Sequence, residues 1–167
     1  GGTGPRSTPT VRDGKVYALS AISDLVCLDM RSGDKLWSVS LNELADVTKT
    51  TFEKEVSWGR SASPLVFDGK VVVPLGGISE KPIHSLIAFA ADTGVELWRG
   101  GSDQINYSTP VLATLLGQPQ ILLISQSLMT AHSIAHGEVL WSVDWPSHSN
   151  SDASVSQPIV LDDSHVL

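Results

Sequence analysis

The stretch LVCLDMRSGDKLWSV (residues 25–39) decides the fold, because the chain repeats its plan twice more, in LIAFAADTGVELWRG (86–100) and LMTAHSIAHGEVLWSV (128–143). In each copy an apolar run reaches a polar turn, and a tryptophan follows the turn glycine by four places: Gly33 to Trp37, Gly94 to Trp98 and Gly137 to Trp141. A single copy is an ordinary hairpin. Three copies in one order are a repeat, and a repeat of this size governs the architecture.

A second anchor precedes each copy. A small residue leads into proline in STPTV (7–11), ASPLV (62–66), STPVL (108–112) and SQPIV (156–160). The prolines, Pro9, Pro64, Pro110 and Pro158, are spaced by 55, 46 and 48 residues. The unit is therefore about 50 residues long, present three times, with a fourth copy beginning near the end of the chain.

Each unit reads as four short strands. Asp13-Gly14 and Asp68-Gly69 separate alternating runs, and such a pair marks a tight hairpin because both turn residues take positive φ. The signal weakens to Leu116-Gly117 and becomes Asp162-Asp163-Ser164 in the last unit. The runs are rich in Val, Ile and Leu and show no sustained helical period. The exception is residues 41–58, an inter-unit loop. There Ser40 followed by Glu43 matches a helix capping box, predicting a short helix over LNELADV.

Four-stranded units closed by a patterned tryptophan predict an all-β fold, a β-propeller with antiparallel blades. The predicted blades run over about 6–40, 60–100, 106–143 and, for the start of a fourth, 153–167. A β-sandwich needs no such recurrence. Three and a half blades make an incomplete ring, so the chain is expected to be a fragment of a larger protein or to associate through its exposed blade faces. The tryptophans are expected to wedge neighbouring blades apart, since an indole buries ~150–250 Å². The turn glycine lacks a β-carbon, so an indole can lie on its peptide.

Composition narrows function by exclusion. With 18 acidic against 11 basic residues the net charge is −7, and every Lys and Arg lies in residues 1–99. An acidic surface repels phosphate backbones, so nucleic acid is not an expected partner. No apolar run reaches the ~20 residues that span a bilayer. Cys27 is the single cysteine; it allows no internal disulfide, and its place on an apolar strand predicts an inert core thiol.

No catalytic, cofactor-binding or metal-ligating set emerges. His132 and His136 share only their spacing with the zinc helix motif, lack its glutamate, and fall on a strand and turn. His84, His148 and His165 are scattered. Asp13, Asp24, Asp34, Asp68 and Asp92 read as turn residues. Asn106-Tyr107-Ser108 is a formal glycosylation sequon, read here as part of the run into a strand.

The segments VCLDMRSGDKLW, IAFAADTGVELW and TAHSIAHGEVLW resemble the tryptophan-docking motif of pyrroloquinoline-quinone-like propeller repeats. That motif has Ala first, Asp third, then Thr-Gly, and Trp eleventh. Ala88, Thr93, Gly94 and Trp98 match it in the second copy, and Ala131, Gly137 and Trp141 in the third. The first supplies Asp29, Gly33 and Trp37, with Cys27 and Ser32 in the Ala and Thr places; Ala90, Ser133 and His136 depart from the pattern. The resemblance covers nearly the whole chain and is similar to the outer-membrane-assembly-lipoprotein-like and quinoprotein-like branches of that family. It implies a bacterial, periplasmic or otherwise extracytoplasmic protein.

Three functions are compatible with it: a non-catalytic scaffold with protein partners or a bound ligand; part of a dehydrogenase holding the quinone and calcium; or the sensor domain of a membrane serine/threonine kinase-related protein. The lone Cys27 excludes, within this segment, the adjacent-cysteine ring disulfide that alcohol-oxidising members often carry. No cofactor is expected under the first reading. The residues leading into each innermost strand would line one mouth of the central channel, which gathers Arg6, Trp58, Arg60 and Tyr107 as a candidate binding surface, aromatic residues and arginine being favoured at hot spots. The competing role for them is closing loops and satisfying backbone carbonyls.

Overall fold

The computed structural model describes residues 6–56, 58–78, 81–145 and 155–167. The first sheet is built from β1 (Thr10–Arg12), β2 (Lys15–Leu19), β3 (Asp24–Asp29) and β4 (Lys35–Ser40). The second holds β5 (Leu65–Phe67), β6 (Lys70–Gly76), β7 (His84–Ala90) and β8 (Glu96–Gly100). The third holds β9 (Val111–Leu115), β10 (Gln118–Ile124), β11 (Leu128–Ser133) and β12 (Val139–Asp144). Within each sheet the strands lie in chain order and pair antiparallel. These are three consecutive blades of a β-propeller, and a short bridged hairpin at Val160 and Val166 opens a fourth.

The hairpin chemistry acts as its residues require. Asp13 and Gly14 take φ +49° and +74°, Asp68 and Gly69 +43° and +68°, and Leu116 and Gly117 +50° and +74°. The Leu116 turn therefore keeps the geometry without the aspartate. Each blade also carries a register irregularity at one equivalent place, between Cys27 and Leu28, Ala88 and Phe89, and Ala131 and His132. It falls just before the turn into the outermost strand, where a bulge increases local twist.

The core lies between blades. In the middle blade Val71, Val73 and Leu75 join Tyr17, Leu25 and Trp37 of the first blade in one buried cluster. Val72, Leu86 and Trp98 face the other way and join Ile121 and Leu123 of the third. A strand's side chains alternate between faces, so a blade with neighbours on both sides reads as an unbroken apolar run, as KVVVPLG does.

Residues 41–56 hold two short helices where the sequence pattern marks one. In α1 (Leu41–Leu44) the N-cap Ser40 accepts a hydrogen bond from the Glu43 N–H. In α2 (Lys49–Glu55) Thr48 does the same for Thr51. Phe52 of α2 and its C-cap Val56 are buried with Ile105. The insertion is tied to the second blade by Lys81, paired with Asp46, and by Arg99, whose Nη1 donates to the Leu44 carbonyl at 2.7 Å.

Candidate functional site

Antiparallel order brings the ends of β4 and β8, the β2–β3, β6–β7 and β10–β11 turns, and the inter-blade segments 41–63 and 101–109 to one end of the sheets. This is the mouth end, and all four candidate residues belong to it. Tyr107 is half-buried, and its phenolic oxygen accepts the Trp58 N–H at 3.3 Å. Burial raises the Tyr107 phenol above its ordinary range, opposed by the Trp58 hydrogen bond and by the charge of nearby Arg6. Trp58 and Tyr107 thus meet, with Arg6 near enough to Tyr107 for its charge to act on the phenol.

Arg60 does not join them at the surface. It is buried, and its Nε donates to Ser23 Oγ at 2.9 Å, Nη1 to the Pro74 carbonyl at 2.7 Å and Nη2 to the Leu75 carbonyl at 2.6 Å. Its guanidinium lies 4.4 Å from the centroid of the Phe52 ring. Burial lowers its pKa to about 9, which leaves it charged at pH 7. Arg60 therefore clamps helix α2, the β2–β3 turn and the end of β6 into one body. The crevice beside it, shared with Ser61, Pro74, Ile105 and Asn106, has no room for a water molecule.

That clamp fixes the backbone around Trp58. The Gly59 N–H donates to the Val56 carbonyl at 2.9 Å and the Arg60 N–H to the Ala21 carbonyl at 3.1 Å. Gly59 takes φ +70°, and a β-carbon there would sit 2.6 Å from the Ala21 oxygen. The Trp58 side chain remains 54% exposed, beside a turn whose Ile22 is 53% exposed.

Two features of this end went unread in the sequence. The residues before the first three anchor prolines link neighbouring blades: Thr8 N–H donates to Ser63 Oγ and Ser63 N–H to Thr109 Oγ1, both at 2.9 Å. The hydroxyl at that position in three copies was the available signal; the fourth has Gln157. Asp103 is the second. Its carboxylate accepts from Ser125 Oγ (2.6 Å), Ser127 N (2.8 Å), Ser127 Oγ (2.9 Å) and Leu128 N (3.2 Å), stitching the second inter-blade link to the β10–β11 turn.

Two of the three repeated tryptophans lie against a turn glycine of the next blade. Trp37 lies against Gly94, and Trp98 against Gly137; in the latter a β-carbon would fall 2.8 Å from Cζ3 of the indole. Trp37 Nε1 donates to the Ala91 carbonyl at 2.9 Å, whereas Trp98 Nε1 is buried with no acceptor. Trp141 is half-buried and donates within its own blade, to Gln120 Oε1 at 2.8 Å. Gly33 has φ +78° and nothing within 4 Å of where its β-carbon would be.

The remaining candidates are set apart. Cys27 is fully buried, and burial raises its thiol pKa. His132 is buried and His136 exposed, so the HSIAH spacing does not make a pair. Asn106 is buried, and its Oδ1 accepts the Tyr107 N–H at 3.0 Å. His148 and the residues leading into the first and fourth innermost strands, 4–5 and 152–154, lie outside the described residues. Among the described residues no three of His, Cys, Asp and Glu come together as metal ligands. Asp13, Asp34, Asp68 and Asp92 sit on turns at the far end of the sheets and Asp103 is saturated by four donors. No helix among the described residues is long and apolar enough to cross a membrane.

Solved structures with this fold include the quinohemoprotein alcohol dehydrogenase from Comamonas testosteroni, with a TM-score of 0.60 at 22% identity over 84% of this chain. BamB from Moraxella catarrhalis gives 0.57 at 16% identity over 89% of it. The computationally designed Ika4 protein gives 0.56 at 14% identity, covering 98% of this chain and 91% of that one. The chain spans 21% of the dehydrogenase and 41% of BamB. No curated protein matches it significantly. The repeat, the blades and a family model that matches residues 2–167 agree: this chain belongs to the pyrroloquinoline-quinone-like propeller family described as outer membrane protein assembly factor BamB.

Proposed function

We propose that the chain is part of a non-catalytic propeller scaffold that binds a protein partner through its mouth end, with Trp58 as the anchor and Tyr107 and Arg6 beside it. One observation carries this reading: Trp58 exposes its indole while hydrogen bonds at residues 58, 59 and 60 hold its backbone. A large side chain presented on a fixed backbone loses little entropy on binding, and tryptophan and arginine are enriched among the residues that dominate interfaces. Arg60 acts from below, as the clamp rather than as a contact. Trp37 and Trp98 hold blades together, as Trp141 would with a following blade. The family description supports protein partners and an extracytoplasmic, periplasmic location.

The test is photo-crosslinking from position 58 in the whole protein within its native envelope, with a second probe at Leu36 on the outer strand as control. A discrete protein adduct from position 58, absent from the control and lost in Tyr107→Ala, is expected. No adduct at 58, or equal adducts from both positions, would overturn the reading. Titration with pyrroloquinoline quinone and calcium tests the dehydrogenase alternative; saturable uptake of the quinone would replace the scaffold reading.

A further inference from the structure

His132 lies at the junction of the second and third blades, fully buried in β11. Its Nδ1 is 2.9 Å from the carbonyl of Gly137, the glycine that carries Trp98. A carbonyl only accepts, so Nδ1 bears the hydrogen and Nε2, 2.8 Å from Thr130 Oγ1, accepts the threonine hydroxyl. The ring also touches the start of the inter-blade link: a β-carbon on Gly101 would fall 3.0 Å from His132 Cε1 and 2.7 Å from Ser85 Cβ. Ser85 Oγ in turn donates to the Asp103 carbonyl at 2.9 Å and accepts the Asp103 N–H at 3.0 Å. The link 101–109 thus begins on the His132 ring and reaches Tyr107 beneath Trp58.

A second proton would force Nε2 to donate. Thr130 would then have to turn its hydroxyl hydrogen to the Leu123 carbonyl, 3.5 Å away and at the limit of a hydrogen bond. Among the described residues, the ring's printed partners are the Thr130 hydroxyl and the Gly137 carbonyl, neither of them charged. From the turn after β11, Glu138 is exposed; from β12, Val139 stands opposite His132 and Asp144 is exposed at the far end of the strand; from the link, the Asp103 carboxylate is held by Ser125, Ser127 and Leu128; from β8, Arg99 is paired with Glu96; β10 offers Leu123 and Ile121, and β7 offers Ser85 with the half-buried His84 before it. Burial lowers the His132 pKa, partly offset by the Gly137 hydrogen bond.

We infer that His132 is an acid-sensitive latch: its protonation loosens the junction of the second and third blades and releases the 101–109 link at the mouth end. This goes beyond the binding reading and does not require it. The sign follows from linkage. The latched state keeps the ring neutral and the opened state binds a proton near ~6.5, so opening grows as pH falls below that value, by up to ~10-fold per pH unit, and levels off below the lower midpoint of the latched state.

The experiment is hydrogen exchange on the protein between pH 7 and 5, with the intrinsic pH dependence of exchange divided out, comparing segments 101–109 and 133–138 with β3–β4 of the first blade. Exchange in the first two is expected to rise severalfold while β3–β4 stays level. His132→Asn, which keeps a donor toward Gly137 and cannot titrate, is expected to abolish the rise. A uniform rise, no rise, or an unchanged rise in H132N would overturn the inference. Where H132N does not fold, NMR titration of the wild-type imidazole decides. A midpoint below ~6.5 with coincident shifts of the Gly101 and Gly137 amides supports the latch. An ordinary midpoint without them, or no titration before global unfolding, rejects it.

Discussion

Trp37 lies so close against Gly94 that a β-carbon at that glycine would stand 2.8 Å from both Cδ2 and Cε3 of the indole. The two residues are 57 positions apart in the chain and belong to successive blades. With the Nε1–H donated to the Ala91 carbonyl, the contact fixes both the distance and the rotation of one sheet against the next.

Gly94→Ala should therefore cost more than Gly33→Ala. Both place a β-carbon at positive φ, worth ~1–2 kcal/mol, but only the first also collides with an indole, adding ~1–3 kcal/mol. Urea unfolding of the two variants checks this, and equal losses would remove the docking role from Gly94.

Replacing Arg60 should loosen the mouth end without touching its surface. Arg60→Lys keeps the charge but loses the planar fork that reaches Ser23, Pro74 and Leu75 together, at an expected cost of ~2–4 kcal/mol. Proteolysis in the 48–60 segment should accelerate with it. A Lys variant as stable as wild type would show that the three acceptors are satisfied by other means.

Asp103→Ala removes the acceptor of four hydrogen bonds at once and leaves the Ser127 and Leu128 amides to find water. A loss of ~1–3 kcal/mol is expected. The Ser127 and Leu128 amides should lose exchange protection before those of β10, whose ladder does not involve Asp103; unchanged protection would sink the stitch.

Cys27 should be silent to thiol reagents in the folded protein. Its thiol has no solvent exposure and burial holds its pKa high, so little thiolate forms at neutral pH. Its labelling rate at pH 8 should follow the unfolding rate across a urea series. Fast labelling of native protein would place an opening at the first blade junction.

The repeat was legible because its causes are local. Asp13-Gly14 and Asp68-Gly69 need positive φ wherever they occur, alternating Val, Ile and Leu make strands, and the glycine-to-tryptophan step recurs at one spacing. Helix α1 was visible through Ser40 and Glu43. Helix α2 was missed because its support is tertiary: Phe52 and Val56 are buried against Ile105, which lies in the link between the second and third blades.

The mouth end was legible only as a neighbourhood. The position of Arg6, Trp58, Arg60 and Tyr107 ahead of the innermost strands put them at one end of the sheets. It could not say that Arg60 turns inward to three acceptors, because the Pro74 and Leu75 carbonyls come from the end of another strand. Nor could it distinguish His132 from His136, four residues apart in one copy. One side chain points between blades and the other into solvent, a difference that the neighbouring blade creates.

The sequence by itself determined the unit, its number of strands, its turns and the order of its blades, since backbone preference and side-chain period act over a few residues. The tertiary structure decided which groups are buried together: a charged guanidinium satisfied by carbonyls, a neutral imidazole at a junction, an exposed tryptophan on a held backbone. Those depend on desolvation and on partners about 50 residues away, and no local pattern encodes them.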